Sequence, residues 1–237
     1  MVLETFYQCQ QGTVTITAEQ ASRFAKRVAG DFNPIHDADA KRFCVPGDLL
    51  FAVVLKEYGI QQTMDFKFEG MLSADRTISL PDASLNQFSI QDVESDKTYL
   101  QVSRAGANRA YDDSVEALIR NYVSFSGQNF PYILVPLMER HDVMINPARP
   151  LVMYESMSLT LETLDFEQPE LSLASTELDV NGKRGDAYLN FEIHDQGKLI
   201  GQGRKKMVLS GLRPFCSEQM AAMEQAYLER KENVGAA

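Results

Sequence analysis

Between Leu49 and Leu55 the chain carries seven consecutive residues without a polar side chain, Leu-Leu-Phe-Ala-Val-Val-Leu. Pro46-Gly47 stands before them and Tyr58-Gly59 closes the run. A helix of this composition is apolar on nearly all sides. It belongs in the middle of a domain, with the rest of the structure wrapped around it, rather than on a surface. The next segments of the chain supply the wrapping. Met64–Phe68, Thr77–Leu80 and Thr98–Val102 alternate with the period of half-buried strands, and so does the end of a longer segment, Val115 to Phe125. Turns are expected at Pro81-Asp82 and over Arg104 to Asn108.

The second half reads in the same order. Asn129 to His141 is a mostly apolar helix. Met153–Leu161, Leu171–Val180, Ala187–His194 and Leu199–Leu209 are extended, with Asn181-Gly182 a strong hairpin signal. Met220, Met223, Ala226 and Tyr227 recur at helical spacing in a terminal helix whose last residues look frayed. Identity between the halves is weak, and the matching order of elements is what suggests a repeat. The expected organisation is residues 1–125, residues 126–216 and a C-terminal helix and tail over 217–237. The fold class is α+β: two tandem units, each a helix followed by antiparallel strands, packed as a pseudo-dimer because a lone unit leaves a sheet edge bare.

Composition excludes several functions. A net charge of −10 argues against nucleic acid or an anionic membrane surface as the main partner. No apolar run reaches the roughly 18–20 residues of a membrane span. The N-terminus has no apolar signal region, and three scattered cysteines suit reduced thiols, so a cytoplasmic location is expected. Three histidines without Cys/His spacing give no metal site, and no cofactor is expected.

Thr17 and Gln20 form a capping box ahead of an amphipathic helix whose buried face is Ala21, Phe24, Ala25 and Val28. Gly30 is placed to end it. Then comes Ala29-Gly30-Asp31-Phe32-Asn33-Pro34-Ile35-His36. Asn-Pro keeps the backbone out of the helical region, so this is a rigid turn with an aspartate and a histidine five positions apart. Taken singly, each has a plain structural explanation: Asp31 as a turn residue bonding backbone N–H groups, His36 as a satisfied buried histidine. Taken together they can aim a carboxylate and an imidazole into one cleft for acid/base work.

This segment resembles the MaoC-like hydratase family, whose signature runs Ser/Ala-Gly-Asp-x-Asn-Pro-Ile/Leu-His, followed by a loop and a glycine opening an apolar helix. The resemblance covers roughly the first quarter of the chain, Thr15 to Leu55. It implies the hotdog fold, here a double hotdog, and action on acyl thioesters of coenzyme A or acyl carrier protein. Water is added to an enoyl thioester or removed from a 3-hydroxyacyl thioester. Asp31 and His36 would hold and activate the water, Asn33 would orient the water or the turn, and the Gly47 N–H would polarise the thioester carbonyl. Lys41 and Arg42 are candidates for the coenzyme A phosphates. The helix start departs from the family's His-Gly-Met: Pro46-Gly47-Asp48 puts a carboxylate, Asp48, beside the carbonyl site. Two alternatives stay open, a non-catalytic module that binds an acyl thioester or a protein, and an acyl thioesterase using Asp48. Two such chains are a possible homodimer. Arg204-Lys205-Lys206 reads as a solvated strand end, and Cys44 as an inert, partly buried thiol.

Overall fold

A computed structural model describes residues 2–235 of the chain. Strands β1 (Gln8–Gln10) and β2 (Thr13–Thr15) form a small hairpin. Thr17 and Gln20 make the expected capping box at the start of α1 (Ala18–Phe24), which continues as a π-helical turn over Ala25–Ala29. Gly30, at φ +66°, ends it in the left-handed conformation that glycine adopts without penalty. The central helix α2 (Gly47–Tyr58) is buried at every residue from Asp48 to Leu55. It is followed by β3 (Ile60–Phe68), β4 (Thr77–Ser79), β5 (Gln87–Gln91) and β6 (Thr98–Arg109). Then come α3 (Asp113–Gly127), α4 (Asn129–Tyr132) and α5 (Leu134–Arg140). The chain closes with β7 (Val143–Met144), β8 (Val152–Leu161), β9 (Pro169–Asn181), β10 (Arg184–Asp195), β11 (Lys198–Ser210), β12 (Arg213–Pro214) and α6 (Ser217–Gly235). Of the frayed end expected, residues 236 and 237 lie outside the described ones.

One seven-stranded antiparallel sheet holds both halves, in the order β5-β6-β3-β8-β11-β10-β9. Its centre is the β3–β8 pairing, with Thr63 opposite Thr160 and Lys67 opposite Ser156. Reading outward from that seam, each half presents its first long strand, then its last, then the one before last. This is the hotdog fold laid down twice and joined edge to edge, so that each half covers an edge strand of the other. The apolar α2 lies against this sheet, with Phe51 touching Phe66 of β3 and Tyr122 of α3. A second apolar cluster joins Leu137 and Met138 of α5 to Leu189 of β10, Leu209 of β11 and Met220 of α6. Among the described residues no helix is long and apolar enough to cross a membrane.

Three expectations are corrected. Val115–Phe125 is not extended but lies within α3. Asp112 caps that helix by accepting from the Ser114 and Val115 N–H groups, and Val115, Leu118, Ile119, Tyr122 and Ser126 share its buried face. Their helical spacing outweighs the strand-like Tyr-Val-Ser-Phe ending. The helix expected over Asn129–His141 is broken. Phe130, ahead of Pro131, takes φ −109°, ψ 128°, as the residue before proline prefers. Arg104–Asn108 is not a turn. It is part of β6, where a bulge opposite Gln61–Thr63 and Gly106 at φ +87° absorb the irregularity. The junction expected between residues 125 and 126 thus falls inside α3.

Candidate active site

The turn after α1 is built by its own short polar side chains. Asp31 Oδ1 accepts from the Asn33 N–H at 2.9 Å. Asn33 Oδ1 accepts from the Ile35 N–H at 3.2 Å and caps the single 3₁₀ turn Pro34–His36. Asn33 thus holds the turn through Oδ1 while also lining the cavity. Its effect is to swing His36 back toward Asp31, so that Nε2 lies 3.5 Å from Asp31 Oδ2. The other ring nitrogen, Nδ1, is 2.7 Å from the Cys44 carbonyl oxygen. A carbonyl only accepts, so Nδ1 carries a proton and Nε2 is the nitrogen presented to Asp31. The His36 side chain is 12 % exposed and that of Asp31 25 %. Burial works to push the His36 imidazole down, but the Asp31 carboxylate and the Cys44 carbonyl hold it above the usual histidine range.

Asp31 and His36 face a cavity of about 540 Å³. Both halves line it: Leu50 and Phe68 from the first, Leu134, Tyr154 and Met207 from the second. The terminal helix closes one side. The Tyr227 hydroxyl accepts from the Phe32 N–H and donates to the Gly30 carbonyl, both at 3.2 Å. Gly47 opens α2 at the cavity wall, and the first N–H groups of a helix have no intrahelical acceptor. A Cβ on Gly47 would come to 3.0 Å from the Phe68 and Tyr154 rings, so a side chain there would have to push them aside.

Asp48 neither faces away nor stands free. It is 7 % exposed, and both its oxygens accept from Ser126 Oγ, at 2.8 and 2.6 Å. Ser126 in turn accepts from the Lys205 ammonium. Lys205 is 4 % exposed, so the solvated strand end expected at Arg204-Lys205-Lys206 is wrong for its middle residue. The strand period puts Lys205 on the inner face of β11 and Lys206, bound to Glu155 and Asp186, on the outer one. Lys41 and Arg42 are exposed and do not line the cavity, whereas Arg230 of α6 does. The Cys44 thiol is pushed up to about 11 by burial, which leaves it inert. Among the described residues no group of three His, Cys, Asp or Glu side chains is placed to hold a metal ion.

Ser126-Gly127-Gln128-Asn129-Phe130-Pro131 spans the end of α3 as Ala29-Gly30-Asp31-Phe32-Asn33-Pro34 spans the end of the π-helical turn that continues α1. The spacing from glycine to proline is the same in both. The second copy has Gln128 where the first has Asp31, and Ile133 where the first has His36. It gives the cavity Ser126 and Asn129 instead of an acid/base pair. Asn129 is buried, and its Oδ1 has no hydrogen-bond partner among the described residues.

The chain belongs to the family described as protein of unknown function (DUF3581), which matches residues 1–218. A search of curated proteins returns no match. Among solved structures, it is similar to a conserved hotdog-fold protein of unknown function from Alicyclobacillus acidocaldarius, with 8 % identity and a TM-score of 0.49. That match covers 91 % of this chain and 99 % of the other. It is also similar to the acyl-CoA thioesterase II TesB2 from Mycobacterium marinum, with 10 % identity, TM-score 0.42, and 92 % and 99 % covered. A third likeness is to a bifunctional dehydratase-cyclase domain in ambruticin biosynthesis, with 12 % identity, TM-score 0.34, and 90 % and 94 % covered. At such identities and TM-scores the likenesses carry no argument about this chain's activity.

Proposed function

We propose that this chain is an acyl-thioester hydratase or dehydratase of the MaoC-like kind, with Asp31 and His36 as its acid/base pair. The observation that carries the reading is their convergence at 3.5 Å on a cavity lined by both halves. One water can bridge Asp31 Oδ2 and His36 Nε2. In hydration Asp31 takes a proton from that water as its oxygen bonds to C3 of the enoyl thioester. The C2=C3 pair moves onto the thioester oxygen as an enolate. The enolate collapses as C2 takes a proton from the His36 imidazolium. Transfer of the proton from Asp31 to His36 restores the site, and the net change is one water added. Two features support a thioester as the substrate. The free N–H of Gly47 at the start of α2 is suited to the carbonyl oxygen. The unpaired Asn129 Oδ1 is suited to an amide N–H of the carrier arm.

Crotonyl-coenzyme A tests this. Loss of the enoyl absorbance with formation of 3-hydroxybutyryl-coenzyme A is expected. Thiol release with the double bond intact would make the chain a thioesterase. Saturable binding with no turnover would make it a binding module.

A further inference from the structure

The buried Asp48–Ser126–Lys205 cluster has no part in the water chemistry of Asp31 and His36, yet all three residues line the same cavity. Its charges are placed where helices favour them. Asp48 lies in the first turn of α2 and Ser126 in the last turn of α3, so Lys205 brings its cation to the C-terminal end of α3. Ser126, itself tied to Asp48, holds the ammonium from one side. On another side the Lys205 Nζ lies 4.0 Å from the centre of the Tyr154 ring. That ring is the one against which Gly47 is packed. Gly47 and Lys205 therefore flank a single aromatic ring. Burial holds the Lys205 ammonium below the usual lysine range, with the charges of Asp48 and Asp31 working against it.

We infer that Lys205 completes, with the Gly47 N–H, the site that receives the thioester oxygen and stabilises the enolate formed on it. The inference deepens the proposed function and rests on its premise that an acyl thioester occupies the cavity. Lys205 takes part as a cation and gives up no proton in the step. The electron pair leaving C2=C3 comes to rest on an oxygen facing a buried cation as well as a backbone donor. It also accounts for Asp48, whose carboxylate would by itself repel an enolate at the helix start. Tied to Ser126, which accepts from the Lys205 ammonium, it holds the cation through that hydroxyl instead.

Acetoacetyl-coenzyme A separates this role from turnover, because its enolate has its own near-ultraviolet absorbance and needs no hydration step. Wild type should bind it with the enolate band appearing. Lys205→Met should bind it with the enolate-forming equilibrium reduced about 10²-fold, the size of one lost oxyanion donor. Lys205→Met strands a buried carboxylate and is prone to misfold, so Asp48→Asn/Lys205→Met is made beside it. If Lys205 only balances Asp48, the double variant recovers the band, and the inference is overturned. If the band stays lost in a double variant with wild-type circular dichroism, it stands. Wild type that binds acetoacetyl-coenzyme A without a band also overturns it. Wild type that does not bind at all overturns both it and the premise of a thioester site. A Lys205-dependent band in a protein inert to crotonyl-coenzyme A supports Lys205 and sinks the hydratase reading alone.

Discussion

Arg230 of α6 reaches to 2.6 Å from Asp37, the residue that comes after His36 in the chain. Lys26 of the π-helical turn holds the same carboxylate at 2.8 Å. Burial pushes Asp37 up, but these two cations hold it below the usual carboxylate range. The terminal helix is thus clamped onto the turn that carries the acid/base pair, although it lies almost wholly beyond residue 218, where the family match ends.

The clamp has unequal parts. Arg230 and Asp37 are partly exposed, so Arg230→Ala is expected to cost about 0–1 kcal/mol. Tyr227→Phe strands the buried Phe32 N–H and is expected to cost roughly 1–3 kcal/mol. Urea unfolding measures both, and hydrogen exchange of the α6 amides should rise more in Tyr227→Phe. Because Asp37 is lowered, its stabilising effect is present above its unfolded value and fades as pH falls through its folded one.

The acid/base pair and its support should separate in kinetics. Asp31→Asn and His36→Ala are each expected to lower kcat by about 10²–10⁴ while leaving thioester binding nearly intact. Neither should unfold the protein, because both side chains face the cavity. Asn33→Ala removes a turn hydrogen bond instead and should cost about 0.5–1.5 kcal/mol of stability with a smaller loss of kcat. A kcat for Asn33→Ala as low as that for Asp31→Asn would mean Asn33 meets the water.

The parts of this architecture set by local chemistry were legible in the sequence. The Thr17 and Gln20 side chains write their own cap. Gly30 and Asn33-Pro34 write their own turn, and the seven apolar residues of α2 have nowhere to go but inside. What was missed depends on long-range partners. Lys205 reads as surface among Arg204 and Lys206, because nothing nearby in the chain reveals that Ser126 and Asp48 await it. Phe88 and Ile90 do alternate in β5, but a five-residue strand between loops is a faint signal. The Gly-x-x-x-Pro repeat at Gly30 and Gly127 was readable. It sets the end of α3 beside the end of the π-helical turn as matching places in the two halves.

The pH dependence of stability has a defined sign at His36. Its folded value lies above the ordinary 6.5, through Asp31 and Cys44 working against burial. Such a group stabilises the fold fully below its unfolded value, and the effect is lost as pH rises through its folded value. Urea midpoints should therefore decline from neutral to alkaline pH in wild type and decline less in His36→Gln. Equal slopes in the two proteins would show that His36 does not bind its proton more tightly when folded.

At Gly127 the backbone of α3 comes close to that of the π-helical turn. A Cβ on Gly127 would lie 2.1 Å from the Ala29 carbonyl oxygen and 2.7 Å from its carbonyl carbon. Those are backbone atoms at the end of the π-helical turn, directly before Gly30 and Asp31, so they cannot yield without moving the acid/base pair. At Gly47 the added methyl would press on the Phe68 and Tyr154 rings at 3.0 Å, and rings can tilt. Gly127→Ala is therefore expected at or beyond the top of the roughly 1–3 kcal/mol range for overpacking, and Gly47→Ala within it. Activity should reverse that order of cause. Gly47→Ala should impair thioester binding in a folded protein, whereas Gly127→Ala should lose activity in step with folded fraction. Thermal unfolding read beside binding in both variants checks the pair. A well-folded, active Gly127→Ala protein would show that α3 and the motif turn do not approach this closely.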